Sequence, residues 1–583
     1  MTLNARVGFR SPNNRSSSNR FAQRWLSGGL VVALVLVAGN KAARGDHQHL
    51  SGTASTAVSV PASDASALID EGLRLEQDEL WTDAISHYEK ASRQYPQDKT
   101  LYQRLIICRL RYDVNRRFQD QSYLGSLKQL GTGQALDLYA EVLANLESHY
   151  VENVDWARTL LHGTAALEIA LEEPCFIQET LAGVDPAAIE RFRMNVHRQM
   201  IGRSTATRFD LRANVAYVAG LAHTELGMSG TATVLEYLSG AISTLDPYTR
   251  LLSGDQLDEM FSNIEGNFVG LGIELKADED SLQILSVIPG GPAAEAGILP
   301  GEQIVRVESA KTTDNDPDYV ADLLRGMEHS YVSITVVDKA GKSREMNIQR
   351  RRVDVPCVEN VHLVDPVNKV GYFRLTNFQK TTTRDVEREL WNLQRQGMRS
   401  LVLDVRGNPG GLLSAAVELA DRFLSNGRIV TTRGRNTREN FDYSAHRANT
   451  WNVPLVVLID ENSASASEIF AGAISDNGRG TLVGKNSYGK GSVQGIFKMQ
   501  TAKFGLCLTT AKFYSPSGRA ISQNGVLPHV EVEPTYIAAR PNKDGELTLD
   551  GDDAVLQRAV QQLTASVNVP SQMASRNLIG RLP

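Results

Sequence analysis

From Lys369 onward, apolar strands alternate with amphipathic helices, and this rhythm constrains the fold more than any other feature of the chain. "VGYFRL", "SLVLDVRG", "VPLVVLID" and "GTLVGK" read as strands; "TTRDVERELWNLQRQG", "GLLSAAVELADRFL" and "SASEIFAGAISDNG" read as helices between them. Strand–helix–strand units of this kind close with one hand and lay helices over both faces of a sheet. The pattern therefore predicts a largely parallel, helix-covered α/β core. "VPLVVLID" lacks polar alternation, as a strand covered on both faces should. "GLCLTTAKFYSP" reads as one further strand, and "DDAVLQRAVQQL" as a helix in the tail, after a Gly- and Asp-rich link.

The chain has 583 residues, too many for one core, so three or four units are expected. Hydrophobic residues make up 42% and charged residues 22%, a globular balance. The net charge of -6, with no dense basic stripe in the body of the chain, gives nucleic-acid binding no electrostatic support. At Gly266 the period changes: "NFVGLGIELK", "SLQILSVIPG", "EQIVRVES" and "YVSITVVD" read as short strands, with helices at "GGPAAEAGILPGE" and "DPDYVADLLRG". Residues 134–260 carry helical periodicity, although the charged stretch 172–210 suggests no role. Residues 65–117 resemble a single tetratricopeptide unit, suited to holding an adaptor or a substrate, or to capping the helical region. Residues 44–64 read as a Ser/Ala/Thr/Gly linker. Ahead of it, five arginines precede "LSGGLVVALVLVAG", a run shorter than the roughly twenty residues a spanning helix needs. This predicts a secretory signal or an uncleaved anchor within 1–43. The expected location is the periplasm or outside the cell, with a tether to the inner membrane if the segment is an uncleaved anchor. The four cysteines are widely spaced and contain no C-x-x-C pair, which argues against a metal site.

Three serines, Ser463, Ser465 and Ser467, stand where the helix after "VPLVVLID" begins. A helix N-terminus beyond the C-terminal end of a parallel strand is where α/β sheets bind ligands, and its unpaired N–H groups suit an oxyanion. An ordinary N-cap explains the serines equally well, with Glu468 completing an S-x-x-E box with Ser465. A nucleophilic serine needs a base. His446 and His529 lie in the region but carry no supporting motif. Lys490 lies between two glycines in "NSYGKGSVQG" and is the other option, provided burial or a nearby cation lowers its pKa. "LVLDVRGNPGG" ends a buried strand at Asp404 and Arg406, then offers Gly410 and Gly411 as backbone donors.

Taken together, "LVLDVRGNPGGLL", "SASASEIFAGAISDNGRGTLVG", "SYGKGSVQ" and "LTTAKFYSPSGRAI", in this order, resemble the carboxyl-terminal processing peptidases, the tail-specific proteases of the S41 group. The resemblance runs from about residue 134 to 563 and is closest over 240–530. It implies a serine endopeptidase with Ser465 as nucleophile, Lys490 as general base and Gln494 as its orienting partner. The oxyanion donors would be the N–H of Ala466 and of Gly410 or Gly411. The resemblance also implies a PDZ domain at 266–352, whose loop Val269, Gly270, Leu271 and Gly272 would cradle the free C-terminus of a protein substrate. No metal or organic cofactor is called for.

The expected organisation is therefore a signal or anchor (1–43), a linker (44–64), a tetratricopeptide-like segment (65–117), a helical region (134–260), the PDZ domain (266–352), an α/β catalytic core (353–536) and a tail with one helix (537–583). Three departures from the family pattern stand out: Tyr488 in "SYGKG", His529 in "LPHVEVEP", and "RGMEHSYV" in the PDZ turn. The alternative from another class is a catalytically silent scaffold that binds protein C-termini through the PDZ domain and partners through the helical repeat.

Overall fold

The computed structural model describes residues 63–567 apart from 244, 279–280, 314–319, 322, 447–449, 523, 534–539, 542–546 and 549–552. The expected leader and nearly all of the linker lie outside the described residues. Helices α1 (Ser63–Gln77), α2 (Trp81–Gln94) and α3 (Lys99–Gln119) pack around the buried Tyr88. Gly72 is required there, because a Cβ would stand 2.2 Å from the Tyr88 ring. α4 (Gln121–Gln129) follows, and α5 (Thr132–His149), α6 (Trp156–Ala170), α7 (Pro174–Thr180), α8 (Pro186–Met200), α9 (Arg208–Leu226) and α10 (Gly230–Ser243) share one large apolar core. The charged stretch 172–210 thus forms α7, α8 and the turn into α9. The small cluster and the large core are joined by a buried ion pair. The Arg117 guanidinium on α3 donates to both Glu236 oxygens on α10, at 3.1 and 2.8 Å, and to the Tyr123 hydroxyl. Stranding either charge would cost about 3–5 kcal/mol.

After α10 come the loop 245–249, strand β1 (Arg250–Leu252) and α11 (Gly254–Glu265). The next strands are β2 (Asn267–Gly270), β3 (Ile273–Asp278), β4 (Ser281–Val287), β5 (Gln303–Val307), β6 (Ala310–Lys311), β7 (Tyr331–Val337), β8 (Ser343–Gln349) and β9 (Arg351–Asp354), with a short helix α12 (Pro292–Glu295). One sheet runs in the order β3-β4-β5-β7-β8, with β6 on β5, and a separate β2–β9 ribbon carries it. β3 is therefore an edge strand. Five of the eleven residues of the helix expected at "DPDYVADLLRG", 316–319 and 322, fall outside the described residues.

The core begins with β10 (Val358–Asp365), β11 (Val370–Leu375), α13 (Thr382–Arg395), β12 (Ser400–Asp404) and α14 (Leu413–Asp421). It continues with β13 (Arg428–Gly434), β14 (Phe441–Ser444), β15 (Leu455–Ile459), α15 (Ala466–Asp476) and β16 (Thr481–Gly484). β17 (Ser492–Lys498), β18 (Gly505–Tyr514), β19 (Val530–Glu531) and α16 (Ala554–Val567) complete it. One sheet has the order β10-β11-β12-β15-β16-β19, parallel except at β10. Every residue of β12 and β15 is buried, and the pleat divides them. Leu401, Leu403, Leu455 and Val457 face α13, α14 and α15, while Val402, Val456 and Leu458 face Val555 and Ala559 of α16. Two-sided cover is what makes the strand sequence continuously apolar.

β18 does not continue this sheet. It lies at the centre of an antiparallel one, paired to β1, β13 and β17. The reason is local: only six residues join β17 to β18, which permits a hairpin and no crossover. Leu506 and Leu508 enter the helical core and Phe513 enters the α/β core, so this strand welds the two.

Candidate active site

The three serines are distinguished by what holds them. The Ser463 hydroxyl donates to the Val405 carbonyl at 2.8 Å and the Ser467 hydroxyl to the Asn408 carbonyl at 2.9 Å; both residues are fully buried. They stitch the turn after β15 to the loop after β12. Ser465 is partly exposed and takes φ +57°, ψ −113°, a left-handed conformation that a non-glycine residue holds only under constraint. It caps α15, so the N–H of Ala466 has no acceptor within the helix.

The glycine pair closes on this turn. A Cβ on Gly410 would lie 2.7 Å from both the Ala464 oxygen and the Ser465 Cβ, and 2.9 Å from the Ala466 nitrogen. One on Gly411 would lie 2.0 Å from the Phe378 oxygen. Their φ values, +107° and +137°, also demand glycine. The two differ in what their N–H groups can do. The Gly410 N–H donates to the Asn408 side-chain oxygen at 2.9 Å, so it is committed. The Gly410 carbonyl accepts from the Phe378 N–H at 2.8 Å, which turns the Gly411 N–H, on the same trans peptide, the opposite way. Of the two alternative donors, Gly410 thus has its N–H taken up by Asn408, and Gly411 has its N–H turned away from Phe378.

Glu468 joins the serine turn to the lysine turn. Its carboxylate is fully buried and accepts four hydrogen bonds. Oε1 receives the Ser487 hydroxyl at 2.6 Å and the Gly489 N–H at 2.7 Å; Oε2 receives the Ser465 N–H at 2.8 Å and the Lys490 N–H at 2.9 Å. Burial pushes this carboxyl up, and the four donors oppose that. The S-x-x-E pattern is real, yet its acid reaches well beyond the cap.

Lys490 Nζ stands 4.9 Å from the centroid of the Tyr248 ring. Burial holds its pKa below the ordinary lysine value; Arg250 pushes the same way, while Cys507, Glu468 and Asp246 oppose. Gln494 lies on β17, opposite Thr509 of β18, next to a register shift. Its amide nitrogen donates to the Ser492 hydroxyl at 2.8 Å and the Thr509 hydroxyl at 3.4 Å. Thr509 in turn donates to Asp246 at 2.9 Å.

The histidines are elsewhere. The His446 side chain is 79% exposed and lies against Asp421. His529 accepts from the Leu482 N–H at 2.9 Å through Nδ1, and its Nε2 is 3.4 Å from the Ser475 hydroxyl, ten residues along α15 from Ser465. At about 1.5 Å per residue that is roughly 15 Å away. His529 therefore serves the edge of β16.

The PDZ loop is divided. Val269 and Gly270 are in the β2–β9 ladder opposite Arg352 and Arg351, and only Leu271 and Gly272 form the turn into β3. The four residues expected to form a carboxylate cradle are thus split between a strand and a turn. Among the described residues no group of three or more His, Cys, Asp or Glu is arranged to hold a metal ion.

A model of peptidase family S41 matches residues 369–532, and a PDZ domain model matches 283–338. The carboxyl-terminal-processing protease of Synechocystis sp. is 32% identical over 351 residues, spanning 59% of this chain and 79% of its own. The chain belongs to the carboxyl-terminal-processing proteases. Carboxyl-terminal-processing peptidase 3, chloroplastic, of Arabidopsis thaliana is 30% identical over 459 residues, 72% of this chain and 85% of that one. A solved photosystem II D1 C-terminal processing protease aligns with 69% of this chain and 99% of its own at 25% identity, with a TM-score of 0.35. This carboxyl-terminal-processing protease is thus a serine protease of family S41 with a PDZ domain. Sequence reasoning missed Asp246, Tyr248, Arg250, Asn408, Cys507 and Thr509 at its site. "LDPYTRLL" shows only an Asp-Pro turn after a helix, and nothing in its spacing points across to Lys490.

Proposed function

We propose that this protease cleaves proteins with free C-termini by a Ser–Lys acyl-enzyme mechanism. The observation that carries the reading is the shared Glu468 oxygen, which takes the backbone N–H of both Ser465 and Lys490 and so holds the two turns in one site. Neutral Lys490 accepts the Ser465 Oγ proton as Oγ bonds to the substrate carbonyl carbon. The oxyanion is received by the N–H groups of Ala466 and Gly411. The carbon–nitrogen bond then breaks, and the Lys490 ammonium returns the proton to the leaving amine. Water, deprotonated by the same lysine, releases the acyl group and restores the serine. Gln494, its amide nitrogen held by two hydroxyls, would orient the lysine through its amide oxygen.

The PDZ domain binds the substrate's terminal carboxylate at the Leu271–Gly272 turn and adds its chain to the open edge of β3. We further infer a periplasmic or secreted protein, free or tethered through 1–43, with the α1–α3 cluster available to an adaptor.

The test is cleavage of an unfolded reporter protein with an apolar C-terminus. Ser465→Ala and Lys490→Ala are expected to abolish it. So is Lys490→Arg, since a guanidinium does not deprotonate at usable pH. A fully active Lys490→Arg enzyme would overturn the choice of base. Equal binding of an amidated and a free C-terminus would overturn carboxylate capture.

A further inference from the structure

We propose that the loop 246–250, contributed by the helical region, is the seat of the catalytic base: Tyr248 is a positioning residue that holds Lys490 against its ring face, and Asp246 fixes that loop to the strand pair carrying Gln494. This rests on the reading of Lys490 as the base.

The loop is built rather than incidental. Asp246 Oδ1 accepts from the N–H of Tyr248 at 2.9 Å and of Thr249 at 3.1 Å, and Oδ2 from the Thr249 hydroxyl at 2.7 Å. The same Oδ1 receives the Thr509 hydroxyl at 2.9 Å, and the Thr509 N–H donates to the Thr249 hydroxyl at 3.2 Å. Thr509 therefore stands between Asp246 and Gln494. The chain then enters β1, which pairs antiparallel with β18, Arg250 opposite Cys507. This fastening points the Tyr248 ring at Lys490 Nζ, 4.9 Å from its centroid.

A lysine carries about 2 kcal/mol of rotamer entropy, and a base that wanders is a poor base. The ring limits that freedom. It acts on the charge in two opposing senses. Covering the amine keeps water out and disfavours the ammonium; presenting a π face favours it. The other groups facing the amine are Arg250 from β1, Cys507 from β18, Glu468 from α15 and Asp246 from the loop itself. Tyr488, in the lysine's own turn, interacts with the Tyr248 hydroxyl.

Two substitutions separate the opposing effects. Tyr248→Leu keeps the cover and removes the π face; Tyr248→Ala removes both. The experiment is kcat/KM against pH on an unstructured fluorogenic peptide with a free apolar C-terminus, with thermal unfolding of each variant alongside. Activity rises with pH as the base loses its proton. For Tyr248→Leu the acid limb is expected to move down by about half a unit to one unit. For Tyr248→Ala it should move up, with kcat at least about tenfold lower. Tyr248→Phe should leave the limb in place. An acid limb for the Leu variant that coincides with wild type would overturn the proposal, as would a displaced limb for the Phe variant or Leu and Ala shifts in the same direction. If the Ala variant does not fold, the Leu and Phe variants decide. Cleavage by Lys490→Ala would instead overturn the base assignment, whatever Tyr248 does, so the two failures are distinct.

Discussion

The serine turn and the lysine turn are built in different ways. Ser465 owes its place to one βα unit: β15 delivers it, α15 begins at it, and Ser463 and Ser467 fasten it to the neighbouring loop after β12. Its left-handed backbone is over-determined by contacts within that α/β core. Lys490 owes its place to segments far apart in the chain: the Tyr248 ring of the loop before β1, which faces its Nζ, and Glu468, which accepts its N–H. The proposed nucleophile is thus a property of the core, and the proposed base a property of the contact between core and helical region. Perturbations of the helical region should reach the lysine and leave the serine turn intact.

The largest expected effect tests the local half. Gly410→Ala places a Cβ 2.7 Å from that of Ser465 at a φ of +107°. The serine turn must shift, and a displacement near 1 Å costs about a hundredfold. A loss of kcat/KM of at least about that size is expected, with the helical region's unfolding unchanged; near-normal activity would show that the turn tolerates movement. Glu468→Gln tests the joint. An amide presents N–H where the carboxylate accepted two backbone N–H groups, leaving buried donors unmet at about 1–3 kcal/mol each. We expect kcat to fall ten- to hundredfold, roughly, with little change in KM. Unchanged kcat would break the idea that one oxygen aligns both turns.

The same contrast explains what was legible in the sequence. The apolar runs of β12 and β15, the flanking helices and the glycine-rich turns announce their fold because each element's neighbours are near in sequence or follow the parallel-sheet rule. Ser465 and Lys490 stand out because their motifs are short and contiguous. β18 was legible as a strand but not by its sheet, since a strand's residues do not say which sheet receives it. Tyr248 was invisible for a related reason: its partner is 242 residues away, and no local period encodes that meeting. Gly410 and Gly411 were told apart only once the peptide between them had a direction.

A smaller effect probes the seat of the base from the helical side. Asp246→Asn keeps the side chain's shape but weakens an acceptor of four hydrogen bonds. The loop loosens, Thr509 loses its anchor, and kcat is expected to drop about three- to tenfold. The acid limb should move toward that of Tyr248→Ala. A drop in kcat with no movement of the limb would mean that Asp246 supports the fold without acting on Lys490.

The smallest effect on activity, and the one most specific to the helical region, comes from His162 on α6. Its Nε2 is buried without a hydrogen-bond partner among the described residues, and burial lowers its pKa to about 4. The unfolded chain binds this proton near 6.5, so the folded state is favoured above that pH. The advantage is lost as pH falls from 6.5 toward 4, by up to about 3 kcal/mol. α6 packs against α10, where Gly240 lies on the His162 backbone, and α10 leads into the loop that seats Lys490. Acid should therefore loosen the base's seat before it disturbs the serine turn. Thermal unfolding between pH 7.5 and 5 is expected to fall more steeply for wild type than for His162→Leu, while kcat at pH 7.5 changes less than about twofold. Parallel slopes for the two proteins would place the acid sensitivity of the helical region in another group and detach it from the α6–α10 contact.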